Sequence, residues 1–183
     1  MQADDAGNRE DDFSDTCSLC KTGWSCCLGT RPPISNSRKS IIEAFLKQHG
    51  IVVEDAFAEE EYRFPKEQSD GYCVFRDAKT GLCVIHPVKP ETCVAGPVTF
   101  DINVDNGKIE WFLKFETLCQ LAGVLSRNKS PLKRHFESAK KEILRLVYEL
   151  DAGALRAVLA KDEPETFKFA EDEVGKRVLD KLR

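Results

Sequence analysis

Apolar and polar residues alternate across residues 98–115, VTFDINVDNGKIEWFLKF, on both sides of a central Asn106-Gly107 pair. Alternation with a period of two is typical of a strand with one buried face. Asn-Gly is the preferred pair in a two-residue type I′ turn. With that turn Val104 faces Ile109, and the alternating apolar side chains of both legs share one face. We therefore predict an antiparallel hairpin with a two-residue turn.

Hairpins also bring cysteines together. Extending the legs of the first hairpin places Cys93 and Cys119 near each other at its open end, although they are far apart in sequence. Pro97 has no backbone N–H and weakens the outermost pairing, so we expect proximity rather than direct opposition. A second, shorter hairpin is predicted in GYCVFRDAKTGLCVIHP, where a turn in DAKTG brings Cys73 and Cys83 close together.

Apolar residues at three- and four-residue spacing predict a helix after the RPPIS segment. Either Ser35 or Ser37 is a suitable N-cap residue. The helix is expected to end near His49, because Gly50 is a typical helix stop.

The last third of the chain also has helical periodicity. A long helix is predicted to begin at Ser130-Pro131, since proline is favoured in a first turn. Its apolar seam consists of Leu132, Phe136, Ala139, Ile143, Leu146 and Leu150. A short helix with Leu155, Val158 and Leu159 follows. Another helix from Pro164 would carry Phe167, Ala170, Val174, Val178 and Leu182 on one side.

Composition then divides the chain into three parts. Residues 1–16 form an acidic tail, which we expect to be flexible. Residues 17–126 contain every cysteine and all the strand-like patterning. Residues 127–183 form a C-terminal helical extension, packed on the cysteine region or on a partner. The predicted fold class is α+β, a small cysteine-rich core with short β-hairpins followed by helices.

Charge and hydropathy exclude several classes of function. The net charge of −4 has the wrong sign for general binding to nucleic acid or to a membrane surface. No apolar run approaches the length of a membrane-spanning helix. The acidic N-terminus lacks the apolar segment of a secretory signal, so we expect a cytoplasmic protein.

Eight cysteines in such a chain indicate metal binding or catalysis, because cytosolic thiols stay reduced. A disulfide framework is the less favoured alternative. Thiolates are soft ligands that suit zinc or an iron–sulfur cluster, and Cys17-x2-Cys20 has the usual knuckle spacing. The predicted metal ligands are Cys17, Cys20, Cys26, Cys27, Cys73, Cys83, Cys93 and Cys119. Cys119 is the weakest of these, because a cysteine in an apolar segment is often a small buried hydrophobe.

Cys26 and Cys27 are adjacent, which bears on the number of metal positions. Consecutive residues of an extended chain tend to project to opposite sides. The pair therefore indicates either two neighbouring metal positions or one polynuclear cluster. Eight thiols divide into two sets of four, which suits two zinc ions or two clusters, although one metal with fewer ligands stays open.

Other residues near the cysteines have less specific signals. His86 follows Cys83 at ligand spacing, but a packing role is the more favoured interpretation. Lys89 and Arg31 are candidates to balance thiolate charge, or ordinary solvated side chains. Trp24 could shield a metal or anchor its loop. His49 and His135 are expected to be structural or surface residues.

The cysteine pattern resembles the YkgJ-type cysteine-cluster family, the CxxCxxCC putative zinc- or iron-chelating domain. The resemblance is carried by CSLCKTGWSCC and by CVFRDAKTGLCVIHPVKPETCVAGP, and covers about residues 15–120. Two features depart from the family pattern. Three residues are inserted between Cys20 and Cys26, and Lys89 replaces the usual arginine, losing its bidentate geometry. The resemblance implies a metal-binding domain whose metal is zinc or iron.

Three functions follow, in order of preference. The first is a metal-binding scaffold or interaction module, with a possible protein partner on the C-terminal helices. The second is an iron–sulfur-dependent protein-modifying enzyme, since the family is similar to cysteine-rich lysine N-methylases, although the chain has no glycine-rich nucleotide loop and no CxxxCxxC motif. The third is an iron–sulfur electron carrier, although the spacing matches no ferredoxin motif.

Overall fold

The structure is a computed structural model that describes residues 26–162 and 165–183. These residues form helices and small antiparallel sheets, which confirms the predicted α+β class. In chain order the elements are α1 (Asn36–Gln48), β1 (Phe57–Glu59), β2 (Arg63–Pro65), a 3₁₀ turn (His86–Val88), α2 (Glu91–Ala95), β3 (Val98–Asn103), β4 (Lys108–Lys114), α3 (Gln120–Ser126), α4 (Lys129–Glu149), α5 (Ala152–Leu159), β5 (Thr166–Glu173) and α6 (Lys176–Leu182).

The predicted hairpin forms between β3 and β4, but its register differs from the prediction. Ile109 pairs with Ile102, not with Val104, so the two strands are shifted by two residues. The physical reason is a four-residue loop, in which the N–H of Gly107 donates to the carbonyl of Asn103 at 3.0 Å. Because the shift is an even number of residues, the apolar side chains keep the same face.

The helix predicted from Pro164 to Leu182 is wrong over most of its length. Residues Thr166–Glu173 form β5, which pairs antiparallel with β4 and completes a sheet of order β3-β4-β5. Only α6 at the end is helical. The free edge of β4 offers backbone N–H and C=O groups that β5 satisfies, and this pairing overrides the helical spacing. Phe167, predicted to lie on the apolar side of that helix, is an exposed residue of β5.

The other predicted helices are confirmed. Ser35 is the N-cap of α1, and its Oγ accepts from the N–H of Arg38 at 3.1 Å. The long helix α4 begins at Lys129, close to the predicted start. The short helix α5 begins after Asp151, whose Oδ1 accepts from the N–H of Ala154 at 2.9 Å. These caps satisfy amide groups that a helix leaves unpaired in its first turn.

Within the described residues the buried apolar side chains form two clusters. The larger, here called the sheet core, joins the β3–β5 sheet to α4, α5 and α6, with Trp111, Ile109, Leu146 and Leu155 at its centre. The smaller, here called the knuckle core, consists of Ile34, Ile42, Leu46, Ala56, Phe75 and Ile85. The C-terminal helices therefore pack on the sheet of their own chain.

No helix in the described part of the chain is both long enough and apolar enough to cross a membrane.

Candidate metal centre

Six of the eight predicted metal ligands lie within the described residues. Cys17 and Cys20 lie outside them, as does Trp24. Cys26, Cys73, Cys83 and Cys93 carry no disulfide. The site can therefore be built from Cys26, Cys27 and the four later cysteines.

Cys73 and Cys83 lie in two turns of the same local design. The N–H of Arg76 donates to the carbonyl of Cys73 at 2.9 Å, and the N–H of His86 donates to the carbonyl of Cys83 at 3.1 Å. The sequences are also alike, CVFR and CVIH. In each, the third residue is an apolar anchor in the knuckle core, because Phe75 and Ile85 are almost wholly buried.

This anchoring aims a backbone amide at each sulfur. The thiol of Cys73 accepts from the N–H of Phe75, and the thiol of Cys83 accepts from the N–H of Ile85. Burial raises the pKa of both thiols, and these hydrogen bonds act against that rise. Amide donors that stabilise a thiolate are a usual feature around metal-bound cysteine sulfur.

The predicted turn in DAKTG is confirmed, and it joins the two cysteine turns. The N–H of Asp77 donates to the carbonyl of Leu82 at 2.9 Å, and Oδ1 of Asp77 accepts from the N–H of Thr80 at 2.7 Å. The legs pair through a single bridge, between Arg76 and Cys83, rather than as full strands. The thiols are close enough for Cys83 to raise the pKa of Cys73.

Backbone pairing places Cys26 and Cys27 beside Cys73. The carbonyl of Cys27 accepts from the N–H of Cys73 at 2.7 Å, and Leu28 forms an antiparallel bridge with Tyr72. The segment that follows the cysteine cluster therefore runs alongside the chain that leads into the first cysteine turn.

The side chains of the adjacent pair do not point apart as the sequence suggested. The thiols of Cys26 and Cys27 are hydrogen-bonded to each other, because the chain is not extended at this point. This bond lowers the pKa of Cys26 to about 6 and raises that of Cys27. Sulfurs in mutual contact suit one shared polynuclear site at least as well as two separate metal positions.

Five thiols form one electrostatic group centred on Cys26. The charge on Cys26 raises the pKa of each of the other members, which are Cys27, Cys73, Cys83 and Cys93. For Cys93, which is partly buried on α2, the largest cause is burial. The interaction between two charges weakens with distance and with exposure to water. The five thiols therefore lie in one region, in agreement with the backbone hydrogen bond between Cys27 and Cys73.

Two lysines place positive charge beside this group. Lys89 lowers the pKa of Cys26, Cys83 and Cys93, as expected for a residue that balances thiolate charge. Lys114, at the end of β4, also acts on Cys26. Lys114 was not among the residues predicted from the sequence, although its position at the open end of the predicted hairpin was a usable signal.

Arg31, the other candidate cation, faces acidic residues instead. Its guanidinium lies 3.1 Å from Glu60 and 3.9 Å from Glu67, and it stacks over the ring of Phe64. Its charge is therefore directed to the β1–β2 region.

Cys119 lies at the start of α3 and packs against the sheet core. Its N–H donates to the carbonyl of Phe115 at 3.1 Å. The predicted proximity of its thiol to Cys93 stays a prediction.

The three histidines have different environments. His86 is exposed at the start of the 3₁₀ turn. His135 lies with Nε2 2.9 Å from the carbonyl of Ala95, and burial lowers its pKa. His49 ends α1 and stacks on Phe45 at 4.0 Å between ring centroids. The contacts of His49 and His135 are those expected of structural residues.

The donor set suits a soft metal in its chemistry. Thiolate sulfur is the ligand that zinc and iron–sulfur clusters favour, amide donors stabilise that thiolate, and flanking lysines offset its negative charge. Among residues 26–162 and 165–183, no three Cys, His, Asp or Glu side chains are already arranged to hold a metal ion. The described thiols therefore converge without forming a finished coordination shell.

Fold and thiols together define a cysteine-rich metal-chelating domain. The chain belongs to the family described as CxxCxxCC, putative zinc- or iron-chelating domain, whose model matches residues 16–120, more than half of the chain. No curated protein and no solved structure matches the chain. Metal ions are thus its binding partners, and zinc or iron is the metal that the family indicates.

Proposed function

We propose that this protein is a metal-binding scaffold or interaction module whose thiolates hold zinc or an iron–sulfur cluster. The ligands would be Cys17, Cys20, Cys26, Cys27, Cys73, Cys83, Cys93 and Cys119, in one polynuclear site or two adjacent ones. The observation that supports this most is the convergence of five thiols, with Cys26 acting on the other four.

The local geometry supports a bound metal more than a disulfide framework. Cys73 and Cys83 each receive an amide hydrogen bond at sulfur, which favours thiolate over thiol. Lys89 and Lys114 offset the negative charge that several thiolates would leave around a divalent ion. When bound, zinc would crosslink the segments that carry the cysteines, and a cluster would in addition supply redox chemistry.

Metal analysis after purification without oxygen tests the proposal. A colourless protein with about two zinc ions supports a structural module. A brown protein with broad visible absorption, iron and acid-labile sulfide supports a cluster, and would direct attention to the enzyme and electron-carrier alternatives. A folded protein that holds no metal and contains disulfides would show that the proposal is wrong.

Variants of the adjacent pair test how the thiols are shared. Replacing Cys27 by serine should change the number of metal ions bound, as measured by elemental analysis. Leu82→Ser is a matched control, because Leu82 is exposed beside Cys83 and carries no donor for a soft metal. Unchanged metal content in Cys27→Ser would remove Cys27 from the ligand set.

A further inference from the structure

A cluster of charged side chains lies buried beside α2, between α1 and α4. Glu91 is wholly buried and the side chain of Arg38 is only 7% exposed. The hydroxyl of Ser35 donates to Oε1 of Glu91 at 2.5 Å, and Nε of Arg38 lies 4.0 Å from the same oxygen. Arg38 also forms an ion pair with Glu142 of α4. The cluster thus connects three helices.

Such a cluster is poorly explained by stability alone. Burying a carboxylate is costly unless it is fully hydrogen-bonded, and apolar residues of similar size often serve a core as well or better. Within the described residues Oε2 of Glu91 and Nε of Arg38 have no hydrogen-bond partner. Because the buried Glu91 carboxylate carries this desolvation cost, we infer that it has a role other than packing.

The position of Glu91 points to that role. It occupies the first turn of α2, and Cys93 lies two residues further on in the same five-residue helix. Because α2 is so short, whatever fixes its first turn also fixes the direction of the Cys93 side chain. Ser35 directly follows Ile34, which packs with Phe75 and Ile85 in the knuckle core. Glu91 therefore ties the helix of Cys93 to the support of the other cysteine turns.

We propose that Glu91 is a positioning residue for Cys93. Through Ser35 and Arg38 it would hold α2 so that the Cys93 thiol meets the group formed by Cys26, Cys73 and Cys83 before metal enters. Through Arg38 and Glu142 it would couple metal binding to the docking of α4. This inference rests on the proposed metal-binding function and adds a residue that carries no sulfur and lies outside the predicted ligand set.

Measuring both zinc affinity and thermal stability of Glu91 variants distinguishes a positioning residue from one that only stabilises the fold. Zinc affinity is measured by competition with a chromophoric chelator for the wild type, Glu91→Gln and Glu91→Ala. We expect a loss of about tenfold to a hundredfold in both variants, the usual effect of removing a group that orients a metal ligand. Glu91→Gln keeps the shape of the side chain, so it provides the result if Glu91→Ala does not fold.

Val178→Ala is the matched control, because Val178 is wholly buried in the sheet core, away from the cysteine turns. It should lower thermal stability without the metal as much as the Glu91 variants do, yet change zinc affinity by less than about threefold. Equal losses of affinity in control and Glu91 variants, or no loss in either Glu91 variant, would overturn the inference. A wild-type protein that binds no zinc or iron would instead show that the proposed function itself has failed.

Discussion

Trp111 is wholly buried, yet its indole N–H has a partner on the neighbouring strand. Nε1 donates to Oδ2 of Asp172 at 2.7 Å, and Lys140 of α4 lies 2.9 Å from the same oxygen. Oδ2 of Asp172 therefore accepts the hydrogen bond of the buried indole and also pairs with Lys140, which links α4 to the sheet. A buried donor without a partner would carry a desolvation cost.

We expect Asp172→Ala to lower the free energy of unfolding by about 1–2 kcal/mol, the cost of leaving such a donor unsatisfied. Urea denaturation measures this. Glu173→Ala is the control, because Glu173 is exposed on the same strand, and it should change stability by less than about 0.5 kcal/mol. A similar effect in both variants would show that the Trp111 hydrogen bond contributes little.

The contribution of the Asp172 carboxylate to stability is expected to decrease in acid. Burial acts to raise the pKa of Asp172, but Lys140 and Trp111 outweigh it and hold that pKa below the ordinary 3.8. A carboxylate whose pKa is lower in the folded state stabilises the fold above its unfolded pKa. The stability difference between wild type and Asp172→Asn should therefore shrink as the pH falls below 3.8 and through the folded-state pKa. A difference that does not depend on acid would contradict this.

The residue scale is also where the sequence was most informative about the site. Cysteine spacing and the DAKTG turn were sufficient to predict that Cys73 and Cys83 lie close together. The amide hydrogen bonds to their sulfurs could not be predicted, because they depend on Phe75 and Ile85 entering the knuckle core. The orientation of those amides is thus set by the burial of Phe75 and Ile85, which the spacing of neighbouring residues does not predict.

At the scale of elements, the β3–β4 loop decides the register of the sheet. Gly107 has φ of +71°, in the left-handed region that side chains with a Cβ rarely adopt. Oδ1 of Asn103 accepts from the N–H of Asn106 at 3.2 Å, which supports the longer loop. The Asn-Gly pair was therefore a correct signal for a turn but the wrong signal for a two-residue turn.

Replacing Gly107 by alanine should lower the free energy of unfolding by about 1 kcal/mol because of the positive φ. Space is not the reason, since an added Cβ would lie 3.5 Å from Leu179, an ordinary contact. Gly153→Ala is the contrasting variant, because Gly153 lies in helix α5 and alanine favours a helix by up to about 1 kcal/mol. Thermal unfolding of the two variants should shift in opposite directions, and a shift in the same direction would contradict the explanation.

Strand β5 shows the limit of local patterns at this scale. Residues 166–173 contain apolar residues at helical spacing, but Phe167 and Phe169 also alternate as in a strand. The ring of Phe169 lies 4.8 Å from that of Phe136 in α4, between centroids. The local pattern therefore fits a helix and a strand equally, and the contacts with β4 and α4 decide for the strand.

At the scale of the whole molecule, the described chain has two cores of unequal size. The sheet core combines three strands with the C-terminal helices, whereas the knuckle core contains six buried side chains. A cluster this small gives limited stability on its own, so a metal would contribute most to the part of the chain that carries the cysteines.

Metal removal should therefore affect the two regions differently. With a chelator, hydrogen exchange should increase strongly for the amides of residues 73–86. Amides of strands β3 and β4 serve as the internal control and should keep most of their protection, because these strands are buried in the larger sheet core. Mass spectrometry of peptides from both regions measures this. An equal increase in both would show that the metal stabilises the molecule as a single unit.

By itself the sequence determined the α+β class, the β3–β4 hairpin, the main helices and the metal-chelating chemistry of the cysteines. These depend on short-range spacing: two residues for a strand, three to four for a helix, and two between thiols of a knuckle. Only the tertiary structure decided the register of the hairpin, the strand β5 and the buried position of Glu91. Each of these depends on a contact between residues distant in sequence. The free energy of such contacts cannot be deduced from the spacing of residues within one short segment.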